Sequence, residues 1–251
     1  MSILIDAYLT PFFPEHESLF EDSAVVMIDV LRASTTVAYA LQSGAKEVVP
    51  AESLDKAVRI YSSLSKEVRF LGGERNNIKP SGFDAGNSPF EYSPESVKGR
   101  SVILTTSNGT RIYQKAKQSK HRLVGSFVNH KATLNYLTKN YLNTGTEHKI
   151  IFLCAGNEGR LSYEDMLCAG AFISSLSKTC KDFHITDPAM ASMKLFEIHS
   201  SKMKEFLSTR DHAQKLSELG YGQDIDFCLT FDACPIVALA GSASIKLFDG
   251  K

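Results

Sequence analysis

Three stretches of this chain carry residue types that handle small anions. The first is Asp29-Val30-Leu31-Arg32-Ala33-Ser34-Thr35-Thr36, and the second is Thr105-Thr106-Ser107-Asn108-Gly109-Thr110-Arg111. The third runs from Ala155 through Asn157, Glu158 and Arg160 to Ser162, Glu164 and Asp165. Ser107-Asn108-Gly109-Thr110 is a sequence in which the amides of a helix start can hold an anion, and Ser34-Thr35-Thr36 matches it in the first stretch. Each of these two has an arginine, the side chain suited to bidentate recognition of phosphate or sulfonate. The same Ser, Thr, Asn and Gly residues also serve as helix caps and turns with no ligand at all.

Two carboxylates add metal chemistry to this picture. Asp29 follows a buried apolar run, where a carboxylate is costly unless it binds a cation or accepts several hydrogen bonds. Glu74 stands in the tight loop Gly72-Gly73-Glu74-Arg75. Hard oxygen ligands that incompletely fill a shell suit Mg²⁺ together with a substrate phosphate. The alternatives are that Asp29 caps a helix and that Glu74 pairs with Arg75.

Known phosphate-handling signatures narrow the chemistry. There is no Gly-x4-Gly-Lys-Ser/Thr and no Gly-x-Gly-x-x-Gly after a strand. An aspartyl-phosphatase would need a second aspartate at position 31, which is Leu31. Cys154 and Arg160 stand at Cys-x5-Arg spacing, the arrangement of cysteine-dependent phosphatases. Glu158 would put negative charge into that cradle and Leu161 replaces the usual hydroxyl residue, so core packing is the better account of Cys154.

The elements that must position these groups alternate along the chain. Ala24-Val25-Val26-Met27-Ile28 reads as a strand buried on both faces, followed by a helix over Val37 to Leu41 that ends at Gly44. Glu47-Val48-Val49-Pro50 reads as a second strand, and Ser53 caps a helix over Leu54 to Leu64. The phrase recurs with an offset of 75 residues: strand Ser101 to Leu104, the second anion loop, a helix from Ile112, and strand Arg122 to Gly125, with Thr35 falling on Thr110. A third unit places a strand at Ile150 to Cys154 and a helix at Glu164 to Leu176. Between the first two units, Gly72 to Pro89 reads as an ordered loop. Beyond Lys181 a helical segment near Ala189 to Ser208 and a late strand at Phe227 to Phe231 are expected. The alternation predicts an α/β fold, a three-layer α/β/α built from repeated strand-loop-helix units. The expected division is into halves 1–115 and 116–251 with the site in the crevice between them, where ligands of α/β proteins bind at strand carboxyl ends.

Composition sets outer limits. With 251 residues, the chain suits one large domain or two small ones. Its 28 basic and 28 acidic residues cancel, which gives no support to a nucleic-acid or membrane-surface protein. The start, from Met1-Ser2-Ile3 onward, lacks the basic and apolar run of a secretory signal, and no apolar run is long enough to span a bilayer. Five cysteines (Cys154, Cys168, Cys180, Cys228, Cys234), with no Cys-x-x-Cys pair, argue against a disulfide framework or zinc site and for core packing in a reducing cytoplasm. A symmetric homodimer is the expected assembly.

Taken together, five blocks resemble those of the 2-phosphosulfolactate phosphatase family. They are Asp29 to Thr36, Gly72 to Arg75, Gly82-Phe83-Asp84-Ala85-Gly86-Asn87-Ser88-Pro89, Thr105 to Arg111, and Ala155 to Gly170 with Glu164-Asp165 and Cys168-Ala169-Gly170. The tail, with Gly220 to Ile225 and Pro235, is similar in a weaker way. The resemblance implies a Mg²⁺-dependent hydrolysis of 2-phospho-3-sulfolactate to sulfolactate and inorganic phosphate, a step toward coenzyme M. It also implies a two-part α/β arrangement with internal duplication. On this footing Asp29, Glu74 and Asp165 are the expected metal ligands and, with Arg32, the expected catalytic residues. Arg32, Ser34, Arg75, Asn87, Ser107, Asn108, Gly109 and Thr110 are the expected substrate-binding residues. A chain of the same kind could also be an anion-binding module without chemistry.

Overall fold

The computed structural model describes residues 3–10, 17–142, 148–179 and 182–250. Met1, Ser2, Cys180 and Lys181 lie outside them, and the side chain of Arg111 is not described.

The apolar run after residue 22 forms β2 (Ser23–Ile28), buried at every position. Its side chains alternate as strand geometry requires. Ala24, Val26 and Ile28 enter one core, and Val25 and Met27 enter another on the opposite face. β7 (His148–Cys154) repeats the pattern, sending Ile150, Phe152 and Cys154 to the first core and Ile151 and Leu153 to the second. Helices cover both faces, which makes the three-layer α/β/α arrangement. α5 (His130–Asn140), α6 (Tyr163–Thr179) and α7 (Asp187–His199) cover the first core. α1 (Ala33–Gln42) and α4 (Gly109–Lys115) cover the second.

One ten-stranded sheet holds the molecule together. Besides β2 and β7 it contains β1 (Ile3–Tyr8), β3 (Glu47–Pro50), β4 (Arg69–Gly73), β5 (Ser101–Thr105), β6 (His121–Gly125), β8 (Phe183–Ile185), β9 (Ala238–Ala240) and β10 (Ile245–Leu247). The order is β4-β5-β3-β10-β9-β6-β2-β7-β1-β8. β4, β5 and β3 are mutually parallel, as are β6, β2, β7, β1 and β8. The antiparallel hairpin β9–β10 joins the two groups, so that they run in opposite directions. Residue 115 is not a boundary in this sheet: β1 and β2 pair with β7, β8 and β6 from the later part of the chain. The echo in the sequence appears as two strand–helix–strand passages, β2-α1-β3 and β5-α4-β6.

Several expectations shift. The helix after β2 starts at Ala33, so Ser34, Thr35 and Thr36 are helical rather than loop. α2 (Leu54–Ser63) follows its Ser53 cap, whose side chain accepts from the Lys56 amide at 3.1 Å, and the one-turn α3 (Pro94–Val97) precedes β5. Ala189 to Ser208 is α7 and α8 (Met203–Ser208). The strand expected at Phe227 to Phe231 is absent: its start belongs to α10 (Gly222–Cys228), which follows α9 (Asp211–Glu218). The residues buried here are Ile225, Cys228 and Leu229, at helical spacing, while Phe231 is exposed. The apolar run Phe227-Cys228-Leu229 hid that period.

Of the loop expected over Gly72 to Pro89, Gly72 and Gly73 instead close β4 and Pro89 opens a 3-10 turn, and the rest is loop held by hydrogen bonds. Asp84 accepts from the Leu71 amide, Tyr92 donates to the Gly86 carbonyl, and Glu91 accepts from the Gly86 and Ser88 amides.

Candidate active site

The carboxyl ends of β2, β4, β5 and β7 open onto one polar crevice of about 330 Å³. Asp29 and Arg32 line it from the first stretch, Glu74, Asn76, Asn77 and Asn87 from the loops after β4, and Thr106, Ser107 and Asn108 from the second stretch. Asn157, Glu158, His212 and Lys215 close it from the other side.

Asp29 is both a cap and a candidate ligand. Its Oδ1 accepts from the Ala33 amide at 3.1 Å, at the start of α1. No hydrogen bond reaches Oδ2 among the described residues. Oδ2 faces Gly109, where a Cβ would stand 2.9 Å from it, 2.9 Å from the Ala33 Cβ and 3.1 Å from the Thr106 hydroxyl. Only glycine lets the start of α4 come this close to the carboxylate. Behind Asp29 lies a small apolar cavity lined by Met27, Val37, Val48 and Leu104. Burial therefore raises the Asp29 pKa to about 6. The Ala33 amide and His212 pull against that rise, and the charges of Glu74 and Glu164 add to it.

Arg32 is the other charged group of the first stretch, and its side chain is 1% exposed. Its Nη1 donates to Asp224 Oδ2 at 2.5 Å, and its Cζ lies 4.0 Å from the centre of the Tyr221 ring. Asp224 Oδ1 accepts from Ser88 Oγ at 2.8 Å. Arg32 Nη2 is buried without a partner. A buried, unsatisfied guanidinium nitrogen at the edge of a polar crevice is a donor set for an anion.

The remaining expected site residues divide into those that face the crevice and those that build it. Glu74 faces it, but both its oxygens hold loops: Oε1 accepts from the Ser107 amide (2.7 Å) and Oε2 from the Asn77 amide (2.8 Å). Asn76 and Asn77 make that turn at φ 53 and 66, a region Asn tolerates better than most residues. Asn87 is buried with its Oδ1 unpartnered, and Ser107 and Asn108 line the wall. Arg75 departs from expectation, donating to its neighbour's carbonyl at Glu74 and to the Thr105 hydroxyl, away from the crevice lining. Ser34 closes a local ring with the amide and carbonyl of Asp29, and Thr110 donates to the Thr106 carbonyl. Gly109 and Thr110 line the apolar cavity rather than the crevice.

Asp165 is likewise removed from the crevice. Its two oxygens accept from the Val30 and Gly156 amides at 2.8 and 3.0 Å, clamping the loop after β2 to the loop after β7. Burial, then the charges of Asp29 and Glu164, hold its pKa well above the usual carboxylate range.

Three groups in or beside the crevice are not among the expected site residues: His212, Glu164 and Asp224. His212 Nδ1 is 2.6 Å from Glu164 Oε1. Burial alone would lower the His212 pKa, but the Glu164 hydrogen bond and charge, with Asp29 beyond, raise it on balance. Glu164 shifts down correspondingly, its burial outweighed by His212. His212 has no motif around it. Asp224 lies in the tail segment whose likeness to the family is weak.

Cys154 cannot be a nucleophile here. It is fully buried, and burial, followed by the charge of Asp165, pushes its thiol pKa far up. Arg160 is exposed on the loop beyond.

Among the described residues no group of three or more His, Cys, Asp or Glu is placed to hold a metal ion. The expected trio Asp29, Glu74 and Asp165 is thus not a closed cage. A site with fewer protein ligands still fits, because Mg²⁺ commonly uses one or two carboxylates plus substrate phosphate and water. Asp29 Oδ2, Glu74 and the buried, unpartnered oxygens of Thr106 and Asn87 are such a donor set.

Buried carboxylates and one unsatisfied guanidinium at the strand ends of an α/β sheet define a class, the enzymes that act on small anionic esters. Comparison with known proteins makes the class particular. A family described as 2-phosphosulpholactate phosphatase matches residues 10–242. A probable 2-phosphosulfolactate phosphatase of Caldanaerobacter subterraneus subsp. tengcongensis is 38% identical over 217 residues, covering 86% of this chain and 87% of the relative. The corresponding protein of Caldicellulosiruptor saccharolyticus is 38% identical over 216 residues (86% and 88%), and that of Carboxydothermus hydrogenoformans is 37% identical over 226 residues (90% of each). The chain belongs to the 2-phosphosulfolactate phosphatase family, a family of phosphoric monoester hydrolases.

Proposed function

We propose that this chain hydrolyses 2-phospho-3-sulfolactate to 3-sulfolactate and inorganic phosphate, with Mg²⁺ bound at Asp29 and Glu74. The observation that carries the reading is the pairing, in the lining of one crevice, of Asp29, one of whose oxygens takes no hydrogen bond among the described residues, with Arg32, whose Nη2 is buried without a partner. A substrate carrying phosphate, carboxylate and sulfonate needs cationic donors on one side and a carboxylate that can act at phosphorus on the other. Arg32, with the polar edge of Ser107 and Asn108, would hold phosphate or sulfonate oxygens. Asp29 would orient the attacking water, which gives its oxygen to phosphorus and one proton to the departing ester oxygen, or would itself take the phosphoryl group, which a following water then hydrolyses to inorganic phosphate. Bound Mg²⁺ would neutralise charge developing on the phosphate oxygens. Asp165 acts behind this arrangement by fixing the Val30 and Gly156 amides.

Phosphate release from 2-phosphosulfolactate, measured with EDTA and with Mg²⁺ added back, tests the reading. The expected result is loss in EDTA and recovery with Mg²⁺. Full activity in EDTA overturns the metal, and no release under either condition overturns the substrate. Cys154→Ser should leave turnover near the wild-type rate.

A symmetric homodimer in the cytoplasm is the setting we propose. Cys154, Cys168, Cys228 and Cys234 are free and buried, which suits a reducing compartment. Among the described residues no helix is long and apolar enough to cross a membrane. Light scattering that gives the mass of one chain would overturn the dimer.

A further inference from the structure

We infer that Asp224 is a positioning residue for this reaction. It fixes the Arg32 guanidinium by its Nη1 edge, leaving the rest of the group for the incoming anion, and it ties that guanidinium through Ser88 to the 82–89 loop. The inference rests on the crevice being the substrate site and deepens that reading.

The geometry is that of a one-sided clamp. Asp224 is 3% exposed and uses both oxygens, Oδ2 toward Arg32 Nη1 and Oδ1 toward Ser88 Oγ. Its own amide donates to the Tyr221 carbonyl at 3.1 Å, so the carboxylate and the ring under the guanidinium come from the same turn of chain. Tyr221 restrains the flat face of Arg32 and Asp224 its Nη1 edge. Nη2 is buried and unpartnered, and Arg32 lines the crevice. A purely structural ion pair would be expected to satisfy the guanidinium on all buried sides, since an unmet buried donor is destabilising. With Nη1 taken by Asp224 and the ring of Tyr221 under the guanidinium, Arg32 meets its ligand without using Nη1 and is oriented before the ligand arrives.

The bridge to Ser88 extends the clamp. Ser88 and Asn87 lie in the loop after β4, Asn87 lines the crevice, and the Asn87 carbonyl accepts from Thr36 of α1. Among the described residues Asp224 is thus the one carboxylate that hydrogen-bonds both the guanidinium and the loop carrying Asn87. Removing its charge should loosen both walls of the anion site at once.

The test is a double-mutant cycle on 2-phosphosulfolactate with wild type, Asp224→Asn, Arg32→Ala and the double variant. Asp224→Asn keeps the shape and should raise KM about tenfold or more with a smaller change in kcat, the scale of a lost charge-assisted contact. In the Arg32→Ala background the same substitution should change kcat/KM by less than about threefold, because the residue acts through Arg32. An equal loss in both backgrounds, or a wild-type KM in Asp224→Asn, overturns the inference. A merely structural carboxylate would lower the melting temperature and the active fraction while leaving KM unchanged. Should Asp224→Asn fail to fold, Ser88→Ala takes its place, with a rise in KM expected only where Arg32 is present and an equal effect in both backgrounds overturning the inference. A wild-type chain that releases no phosphate from the ester fails the substrate reading alone. Calorimetric titration of inorganic phosphate into the same four proteins then reads the same coupling, and phosphate binding to Asp224→Asn as tightly as to wild type overturns it.

Discussion

The 29–36 and 105–111 stretches look alike in sequence and do different work. At the offset of 75 residues, Arg32 meets Ser107, Ser34 meets Gly109 and Thr35 meets Thr110. The first stretch supplies charge: Asp29 with one oxygen left over and Arg32 with one nitrogen left over. The second supplies room and a backbone donor, since Gly109 admits Asp29 and the Ser107 amide holds Glu74. What they share is only their hydroxyls, which bond back into their own turns, Thr35 to the Val30 carbonyl and Thr110 to the Thr106 carbonyl. Shared residues build the junction, and the residues that differ carry the chemistry.

The largest break in that comparison is Asp29→Asn. Turnover should fall on the order of 10³-fold, the scale of losing a group that acts in the transition state. Stability should move the other way. The folded pKa of about 6 lies above the ordinary 3.8, so the fold favours the protonated acid. The stabilisation Asp29 contributes is full below pH 4 and lost as pH rises through 6. Asn keeps the Ala33 cap and carries no charge, so without added divalent metal the variant should gain on the order of 1–3 kcal/mol at pH 7–8 relative to pH 4. Paired assays of rate and of melting temperature against pH check this. A variant that turns over normally would return Asp29 to the role of a cap and leave Glu74 as the leading carboxylate.

Gly109→Ala attacks the second stretch where it differs most from the first. The new methyl meets Asp29 Oδ2 and the Ala33 Cβ at 2.9 Å, and neither is the end of a flexible chain. Overpacking of this kind costs about 1–3 kcal/mol, and the carboxylate is displaced with it. The expected outcome is a loss of turnover of about tenfold or more, because small misplacements at a reacting centre are costly. The paired change Ser34→Ala should be milder, since it removes only a local ring around the Asp29 backbone. Equal losses at 34 and 109 would dissolve the distinction between a crowded and a merely capped position.

Much of this was legible in the sequence for a physical reason. A strand buried on both faces shows as an unbroken apolar run, and the polar junctions after such strands lie at strand carboxyl ends. Asp29, Arg32, Ser107 and Asn108 were candidates on that ground, Glu74 from its tight loop and Asn87 from the resemblance, and all six line the crevice. Which oxygens would already be taken was not legible. Arg75 bonds the Glu74 carbonyl and the Thr105 hydroxyl, and Asp165 clamps two loops, because nearby protein groups compete with a ligand for the same side chains. His212 and Asp224 were missed for another reason: they arrive from helices 183 and 195 residues after Asp29, on segments whose local pattern is that of ordinary surface helices. β1 and β4 also escaped, being short runs without turn signals on both sides.

The smallest expected effect is the most direct test of what the two stretches share. Thr35→Val and Thr110→Val each replace a hydroxyl by a methyl at matched positions, and neither hydroxyl lines the crevice. Both changes should leave KM and kcat near wild type. Their costs in stability should differ. Thr35 is fully buried, and with its proton given to the Val30 carbonyl at 3.0 Å it accepts from Ser126 Oγ at 2.7 Å. The valine strands both the Val30 carbonyl lone pair and the Ser126 proton, a cost of about 1–3 kcal/mol. Thr110 makes a single longer bond of 3.2 Å and borders the small apolar cavity beside Asp29, where a methyl fits without loss. Its replacement should cost about 1 kcal/mol or less. Urea unfolding of the two variants gives both numbers, and a change in slope would signal altered compactness rather than a lost bond. If Thr110→Val instead abolished turnover at unchanged stability, its hydroxyl would belong to the substrate, and the likeness of the two stretches would be functional rather than architectural.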